Sequence, residues 1–291
     1  MKQRFLAYLQ YEKRYSPQTV TAYRIDLDQF YGYLHACYEI EDIYLVTHPM
    51  VRSWMAEMME HGISARSITR KLTTLKSFYK FLLREGILES NPLLKLTSPK
   101  VPKRLPVFVE RDKMDMLLDH IDFGAGYPGI RNKLILELFY VTGMRLSELV
   151  NLKETDLDFH HHTIKVLGKR NKERLIPFGN KFEILLKHYL EEKRNLFGET
   201  NALFLTDKGK MIYPKMIYRI VTGYLGMVTT LEKKSPHVLR HTFATHLLNN
   251  GAELNAVKEL LGHANLSATQ VYTHNTIENL KRIYKQAHPK A

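Results

Sequence analysis

The chain has 291 residues, of which 44% are hydrophobic and 25% charged, a composition typical of a globular protein with one large domain or two ordinary ones. Its 43 Lys and Arg residues against 30 Asp and Glu give a formal net charge of +13, which favours a polyanionic partner such as nucleic acid. The only cysteine, Cys37, excludes an intrachain disulfide and a cysteine-based metal cluster. The sequence contains no signal peptide, membrane-spanning apolar run or glycine-rich nucleotide-binding loop, so we expect a cytoplasmic protein without a nucleotide cofactor.

The first third of the sequence is predicted to be helical. Ser16 and Pro17 form a helix start, with a hydroxyl at the N-cap and proline at the first helical position. A second helix is expected to begin near Ser64 and to stop at Gly86. Apolar residues recur at spacings of three and four in both: Val20, Tyr23, Leu27, Phe30 and Leu34 in the first, and Ile68, Leu72, Leu75, Tyr79 and Leu82 in the second. These stripes predict the buried faces of a helical bundle.

The opposite face of the second helix carries basic and hydroxyl side chains and no acidic one. Its members are Arg66, Arg70, Thr73, Ser77, Lys80 and Arg84. Such a face is suited to phosphates or to the major groove of DNA, whereas an ordinary solvated helix face mixes both signs of charge. We therefore predict that this basic face contacts DNA, with a solvated surface as the alternative.

A proline-rich stretch follows the helical part. Residues 91–106 contain four prolines and show no periodicity, which indicates an extended linker. We predict a helical domain over residues 1–98, a linker over 99–106 and a second domain over 107–291.

The second domain is predicted to mix helices with a β-hairpin. Residues 133–141 form a mostly apolar helical segment. Residues 163–178 indicate a hairpin, because Ile164 and Val166 alternate with polar residues before a charged turn and a second short apolar run. The pattern becomes helical again from Ser235 onward.

Two predicted helix starts in the second domain carry residues suited to a phosphate. Arg145 is expected in the first turn of a helix, where unpaired backbone N–H groups and the helix dipole favour an anion. A Ser-Pro pair at 235–236 begins another helix, and His237 and Arg240 share one face near its N-terminus. The guanidinium groups would bind a phosphate, and the imidazole would transfer a proton. The alternatives are an ordinary surface arginine and a capping histidine.

Histidines near these motifs raise the possibility of a metal site, which the pattern does not favour. His237 and His241 have the spacing of a zinc pair, but no glutamate stands between them, and Glu148 is the only acid close to the motifs. The histidine run at 160–162 is expected to form an exposed turn. We predict that the protein holds no metal and no cofactor.

Five ordered motifs resemble the tyrosine recombinases, most closely the Xer branch. They are TGMRLSEL at 142–149, GKRNKER at 168–174, HVLRHTFATHLL at 237–248, LGH at 261–263 and YTH at 272–274. The resemblance extends over nearly the whole chain. It implies a mainly α fold with a small β-sheet, in which a helical core-binding domain and a mixed α+β catalytic domain clamp DNA.

The resemblance implies a covalent mechanism. Tyr272 would attack the scissile phosphodiester, forming a 3′-phosphotyrosyl link and releasing a 5′-hydroxyl. Arg145 and Arg240 match the family's two arginines that bind the nonbridging oxygens, where charge develops in the transition state. The bond energy stays in the covalent intermediate, so strand exchange would need neither metal nor ATP.

Three further residues take proton-transfer and phosphate-binding roles from the resemblance. His263 and His237 match the remaining phosphate-contacting positions, with His237 accepting the tyrosine proton. Lys169 matches the hairpin lysine that would protonate the leaving 5′-oxygen, with Lys172 as the alternative; a lysine suits this role better than an arginine because it releases a proton more readily.

The resemblance also implies partners. We expect double-stranded DNA, a homo- or hetero-tetramer on two DNA sites, a related recombinase, a FtsK-like DNA translocase and a nucleoid-associated role in resolving chromosome dimers at a dif-like site. The alternatives are an integrase or transposase of a mobile element and a DNA-binding accessory protein without activity. The presence of Arg145, Lys169, Arg240 and Tyr272 disfavours the accessory protein. We expect no arm-binding domain before residue 1, which favours the Xer branch over phage-type integrases.

The last residues are predicted to form a short amphipathic helix. Ile277, Leu280 and Tyr284 fall on one stripe. From the resemblance we expect residues 276–291 to dock on a neighbouring subunit and the chain to stay folded without them; packing on its own domain is the alternative. A helix this short has marginal stability by itself in water, so it needs a protein surface on which to bury its apolar stripe.

Overall fold

The computed structural model describes residues 1–102, 107–168, 173–262 and 274–290, with the backbone alone for 274–277. The chain divides into two compact units, Met1–Arg104 and Leu105–Ala291, and the division falls within the predicted linker. The predicted fold class is confirmed, since the chain is mainly α-helical with one small antiparallel sheet. Within the described ranges, each helix is too short or too polar to cross a lipid bilayer.

The first unit is helical throughout its regular structure. Its helices are α1 (Lys2–Ala7), α2 (Pro17–Tyr38), α3 (His48–Glu60) and α4 (Ala65–Arg84). The predicted starts of α2 and α4 are confirmed: Ser16 and Ser64 are the N-caps, and each hydroxyl oxygen accepts a hydrogen bond at 3.3 Å from the backbone N–H three residues later. These caps satisfy N–H groups that have no partner within the helix.

The predicted stripes form the core of the first unit. All five residues of the α4 stripe are fully buried. In α2, Leu27, Phe30 and Leu34 are buried, whereas Val20 and Tyr23 lie at the edge of the core. The Phe30 ring packs against Trp54 of α3 with 4.8 Å between ring centroids. Helical periodicity therefore identified the buried side of both long helices.

The second unit surrounds a central helix, α6. Its described helices are α5 (Arg111–Asp115), α6 (Gly126–Thr142), α7 (Leu146–Val150), α8 (Asn180–Phe197), α9 (Pro214–Val228), α10 (Pro236–Asn249), α11 (Leu254–Leu261) and α12 (His274–Ala287). Every residue from Leu134 to Thr142 is buried, because α8 and α10 cover α6. An apolar helix segment without a polar face is what this central position requires.

The predicted hairpin is confirmed as part of a three-stranded antiparallel sheet. Its strands are β1 (Leu157–Asp158), β2 (Thr163–Leu167) and β3 (Glu173–Pro177), in the order β1-β2-β3. Ile164 pairs with Ile176, and Val166 pairs with Arg174. Ile164 and Val166 are buried, as their alternation predicts. The strand β1 was not predicted, because two residues are too short to show alternation.

The C-terminal helix α12 packs on its own unit. Its buried side chains Leu280, Ile283, Tyr284 and Ala287 belong to the core of the second unit. The end of the helix is held by Nδ2 of Asn250, which donates to the carbonyl of Ala287 at 2.7 Å. Deletion of residues 276–291 would remove these side chains from the core, so the packing favours the alternative that the segment belongs to its own domain and disfavours the expectation that the chain stays folded without it. Docking of this segment on a neighbouring subunit remains a prediction.

We expect Leu280→Ala to lower the free energy of unfolding by about 2–5 kcal/mol, because it deletes a buried apolar side chain and leaves a cavity. The measurement is a urea titration of the purified protein, with Lys285→Ala on the exposed side of the same helix as the matched control. Equal unfolding midpoints for the two variants would contradict the packing of α12 in the core.

Candidate active site and nucleic-acid interface

A tight turn after α6 brings Arg145 close to α10. Gly143 ends α6 with a left-handed φ of 57°, and a Cβ there would lie 2.4 Å from Cδ1 of Phe243, so glycine is required. Arg145 is the N-cap of α7 and does not lie in its first turn, which corrects the prediction. Its backbone N–H donates to Oε2 of Glu148 at 2.7 Å, so a side chain already occupies this part of the expected anion site.

Glu148 is a buried carboxylate held by two arginines. Its Oε1 accepts hydrogen bonds from Nη1 of Arg145 at 2.8 Å and from Nη1 of Arg174 at 2.9 Å. Its Oε2 accepts from Nη2 of Arg174 at 2.8 Å. Burial alone would raise the pKa of this carboxyl, but hydrogen bonds and charges from Arg174 and Arg145 lower the pKa of Glu148 to about 2. Glu148 is therefore ionised at neutral pH and orients both guanidinium groups.

Arg240 is a buried cation bound to main-chain carbonyls. Its Nη1 donates to the carbonyl of Gly143 at 2.6 Å and its Nη2 to that of Leu261 at 2.7 Å. Burial, reinforced by the charges of Arg145 and Arg174, lowers the pKa of Arg240 to about 10, so the group is still protonated at neutral pH. Because little water surrounds this guanidinium, its attraction to an anion is weakly screened.

Three arginines converge on the C-terminus of α11. Consecutive carbonyls there accept one arginine each: Leu260 from Nε of Arg174 at 2.8 Å, Leu261 from Nη2 of Arg240 at 2.7 Å, and Gly262 from Nη2 of Arg145 at 3.2 Å. The last carbonyls of a helix have no partner within it, and the helix dipole makes them attractive to cations. Gly262 ends α11 with a left-handed φ of 65°, as predicted for the break at this position. This arginine cluster (Arg145, Arg174 and Arg240 with Glu148) thus fixes the residue immediately before His263.

His237 lies exposed on α10, one turn before Arg240. Ser235 is the N-cap of this helix as predicted, but its side chain makes no capping hydrogen bond. The predicted buried residues of α10, Leu239, Phe243 and Leu247, are fully buried. The helix therefore keeps the imidazole accessible to a substrate while it buries the guanidinium of Arg240.

Three residues proposed for the chemistry, Lys169, His263 and Tyr272, lie outside the described residues, as does Lys172. Lys169 precedes β3 by four positions, and Tyr272 precedes α12 by two. Their roles remain predictions.

Two residues of the arginine cluster, Arg174 and Glu148, were not predicted from the sequence to take part in the site. Arg174 lies on β3 at an inward position of the alternation that also places Ile176 inward, and its side chain is 3% exposed. An arginine at an inward position of a strand was the signal available in the sequence, because such a group requires a buried partner.

The basic face of α4 is exposed as predicted, but two of its arginines have acidic partners. Arg70 forms a bidentate ion pair with the buried carboxylate of Asp26 on α2. Arg84 donates to Glu85 at 2.9 Å, and its guanidinium lies 4.1 Å from the centre of the Tyr8 ring. The face has no acidic residue within α4, as the sequence indicated, but Asp26 and Glu85, which lie outside that helix, pair with two of its arginines.

The remaining members of the face have no acidic partner among the described contacts. Arg66, Thr73 and Lys80 are exposed, and Ser77 is half-buried. The hydroxyls of Thr73 and Ser77 donate to the carbonyls four residues earlier, at 2.8 Å and 2.9 Å. DNA contact by this face stays a prediction.

In the described part of the chain, no three His, Cys, Asp or Glu side chains lie close enough together to hold a metal ion. Nδ1 of His161 lies 2.7 Å from Oδ2 of Asp158, and Nδ1 of His162 lies 2.9 Å from Oε2 of Glu183. The residues at 160–162 form a turn before β2, as predicted.

Family models and relatives match the chain along its length. The model of the phage integrase family matches residues 108–279, and that of the phage integrase N-terminal SAM-like domain matches residues 3–86. Tyrosine recombinase XerC of Chlorobaculum tepidum is 39% identical over 314 aligned residues, covering 99% of this chain and 94% of the relative. Tyrosine recombinase XerC of Oceanobacillus iheyensis is 42% identical over 292 aligned residues, which cover 99% of this chain and 95% of the relative.

Solved structures share the fold. The crystal structure of the XerH site-specific recombinase bound to difH substrate, in a pre-cleavage complex, matches with a TM-score of 0.72 and 23% sequence identity. The match covers 98% of this chain and 80% of that one. At this identity the likeness is one of architecture.

Proposed function

We propose that this chain, which belongs to the phage integrase family of tyrosine recombinases and cuts and rejoins DNA at specific sites, resolves chromosome dimers at a dif-like site. The near-complete coverage of XerC relatives at about 40% identity supports this assignment over a mobile-element integrase. The observation that carries the chemistry is the arginine cluster, which joins Arg145 and Arg240 to the carbonyls directly before His263.

In the proposed reaction, Arg145 and Arg240 bind the nonbridging oxygens of the scissile phosphate. Both are held in place before the substrate arrives, one by Glu148 and the other by two carbonyls. Preorganised donors stabilise the charge that develops on these oxygens with little rearrangement. Because the cluster has three guanidinium groups and one carboxylate, it keeps a positive charge that attracts the phosphate.

The covalent step transfers the phosphoryl group from DNA to the protein. The phenolic oxygen of Tyr272 forms a bond to phosphorus while the bond from phosphorus to the 5′-oxygen breaks. His237 accepts the phenolic proton, His263 contacts the phosphate, and Lys169 gives a proton to the leaving oxygen. The phenol is a poor nucleophile near neutral pH because its usual pKa is about 10, so proton acceptance and charge neutralisation are both needed.

The remaining assignments concern assembly and place of action. Residues 1–98 bind DNA through the basic face of α4, and residues 107–291 perform the cleavage. Four subunits, identical or from two related recombinases, act on two DNA sites in the cytoplasm at the nucleoid, and a FtsK-like translocase activates them. The DNA-bound XerH structure supports the DNA partner by likeness of fold.

A nicked suicide substrate tests the proposed chemistry. We expect a denaturation-resistant protein–DNA adduct to form in excess EDTA at the rate seen without it, because arginines supply the charge neutralisation. Sequencing of DNA trapped from a library would then identify the target. An adduct that requires added magnesium or zinc would contradict the proposal, and a target confined to mobile-element ends would replace the dif-like site.

A further inference from the structure

Arg174 is fully engaged inside the protein. All three nitrogens of its guanidinium donate hydrogen bonds: two to Glu148, at 2.9 Å and 2.8 Å, and one to the carbonyl of Leu260, at 2.8 Å. With 3% of its side chain exposed, it has no surface with which to contact a DNA phosphate. Its effect on the reaction must therefore pass through its partners.

The partners of Arg174 connect three separate parts of the chain. Arg174 itself is the second residue of β3, shortly after Lys169. Glu148 lies on α7 and holds Arg145, and Leu260 lies in the last turn of α11, three residues before His263. One side chain thus links the strand after the hairpin turn, the proposed phosphate-binding arginine and the helix that leads into the segment of the nucleophile.

We propose that Arg174 is a positioning residue for DNA cleavage, which holds Arg145 through Glu148 and holds the end of α11 through Leu260. This inference rests on the proposed function. Arg174 donates to both oxygens of Glu148, and the side chain of Arg145 shares Oε1 with it. Arg174 therefore limits how strongly the carboxylate draws the Arg145 guanidinium away from a phosphate. A Cβ at Gly262 would lie 3.1 Å from Cδ of Arg174, which shows how closely the arginine packs against the helix end.

The alternative is that Arg174 only neutralises the buried charge of Glu148. Arg174→Lys separates the two roles. Lysine keeps the positive charge, but its single ammonium group cannot reproduce the fork that spans both carboxylate oxygens and the Leu260 carbonyl. If Arg174 only neutralises Glu148, Arg174→Lys should form the covalent adduct at a rate close to that of the wild type. If Arg174 positions the catalytic groups, the variant should form it slowly.

A matched control is available at Arg131. This arginine is also buried, at 2% exposed, and its Nη1 donates to Asp207 at 2.5 Å and to the carbonyl of Leu205 at 3.3 Å. It lies on α6 and has no hydrogen bond to the arginine cluster. Arg131→Lys therefore reports the effect of the same substitution on stability alone.

The experiment compares the full-length wild type, Arg174→Lys and Arg131→Lys on one nicked DNA substrate. DNA affinity is measured by gel shift, covalent adduct formation by single-turnover kinetics at saturating protein, and stability by thermal melting. We expect Arg174→Lys to slow adduct formation by about a hundredfold while binding DNA almost normally, because small displacements of catalytic groups reduce rates on this scale. Arg131→Lys should react like the wild type.

Each other outcome has a defined meaning. A rate for Arg174→Lys near that of the wild type, or an equal loss in Arg131→Lys, would overturn the positioning role. Failure of Arg174→Lys to fold, with Arg131→Lys folded, would make Arg174 a stability residue and would also overturn it. Absence of the adduct in the wild type would instead refute the proposed function.

Discussion

Replacing Tyr272 with phenylalanine should abolish covalent attachment to DNA and leave DNA binding nearly unchanged. The substitution removes only the phenolic oxygen that we propose forms the bond to phosphorus, and it alters no charge on the basic surface. The measurement pairs a gel shift on intact duplex with a denaturing gel on a nicked suicide substrate. We expect a normal shift and no denaturation-resistant adduct.

Tyr284→Phe is the matched control for this prediction. Tyr284 lies on α12, is buried, and its hydroxyl has no hydrogen-bond partner among the described residues. Removing that hydroxyl should therefore leave both the fold and the adduct intact. An adduct formed by Tyr272→Phe, or lost only in Tyr284→Phe, would refute Tyr272 as the nucleophile.

Arg145→Ala and Arg240→Ala should each slow cleavage of bound DNA by about a hundredfold or more, because each removes a preorganised donor that we propose stabilises the developing phosphate charge. For Arg240 the loss is expected to be at least as large, since its guanidinium is buried and acts with little screening from water. The rate is measured under single-turnover conditions at saturating protein, well below the melting temperature of each variant.

Arg84→Ala provides the contrast, because Arg84 lies on the exposed basic face of α4 in the first unit. Loss of the phosphate contact that we predict for Arg84 should weaken DNA binding and reduce the salt slope of the affinity by about one. Cleavage per bound complex should stay near the wild-type rate. Equal cleavage defects per bound complex in all three variants would contradict this division of roles.

Local patterns in the sequence were sufficient to predict much of the fold. A hydroxyl before a helix and apolar residues at spacings of three and four depend only on neighbouring residues, so the starts and buried faces of α2 and α4 could be predicted. Alternation predicted the paired strands β2 and β3 for the same reason. The two-residue strand β1 has too short a pattern to be recognised.

Partnerships between distant residues could not be predicted from these patterns. Arg174 binds Glu148 across 26 positions of sequence and Leu260 across 86, and no local spacing relates them. The Arg70 ion pair with Asp26 was missed likewise, because its acid belongs to another helix.

The surface on which α12 packs could not be predicted from the sequence either. The stripe containing Leu280 and Tyr284 predicted a helix that buries one face, and both residues are buried. It could not specify whether that face packs within the chain or on another subunit, because an apolar stripe suits either surface. In the structure it completes the core of the second unit.

The most direct test of the account is to locate the DNA-linked residue in the trapped adduct by tandem mass spectrometry after nuclease and trypsin digestion. Cleavage after Lys258 and Lys281 yields residues 259–281, which contain Tyr272 as their only tyrosine. We expect the nucleotide remnant on Tyr272, attached through a 3′-phosphate. A remnant on the peptide that contains Tyr284, on a serine, or attached through a 5′-phosphate would contradict attack by Tyr272 to form a 3′-phosphotyrosyl link.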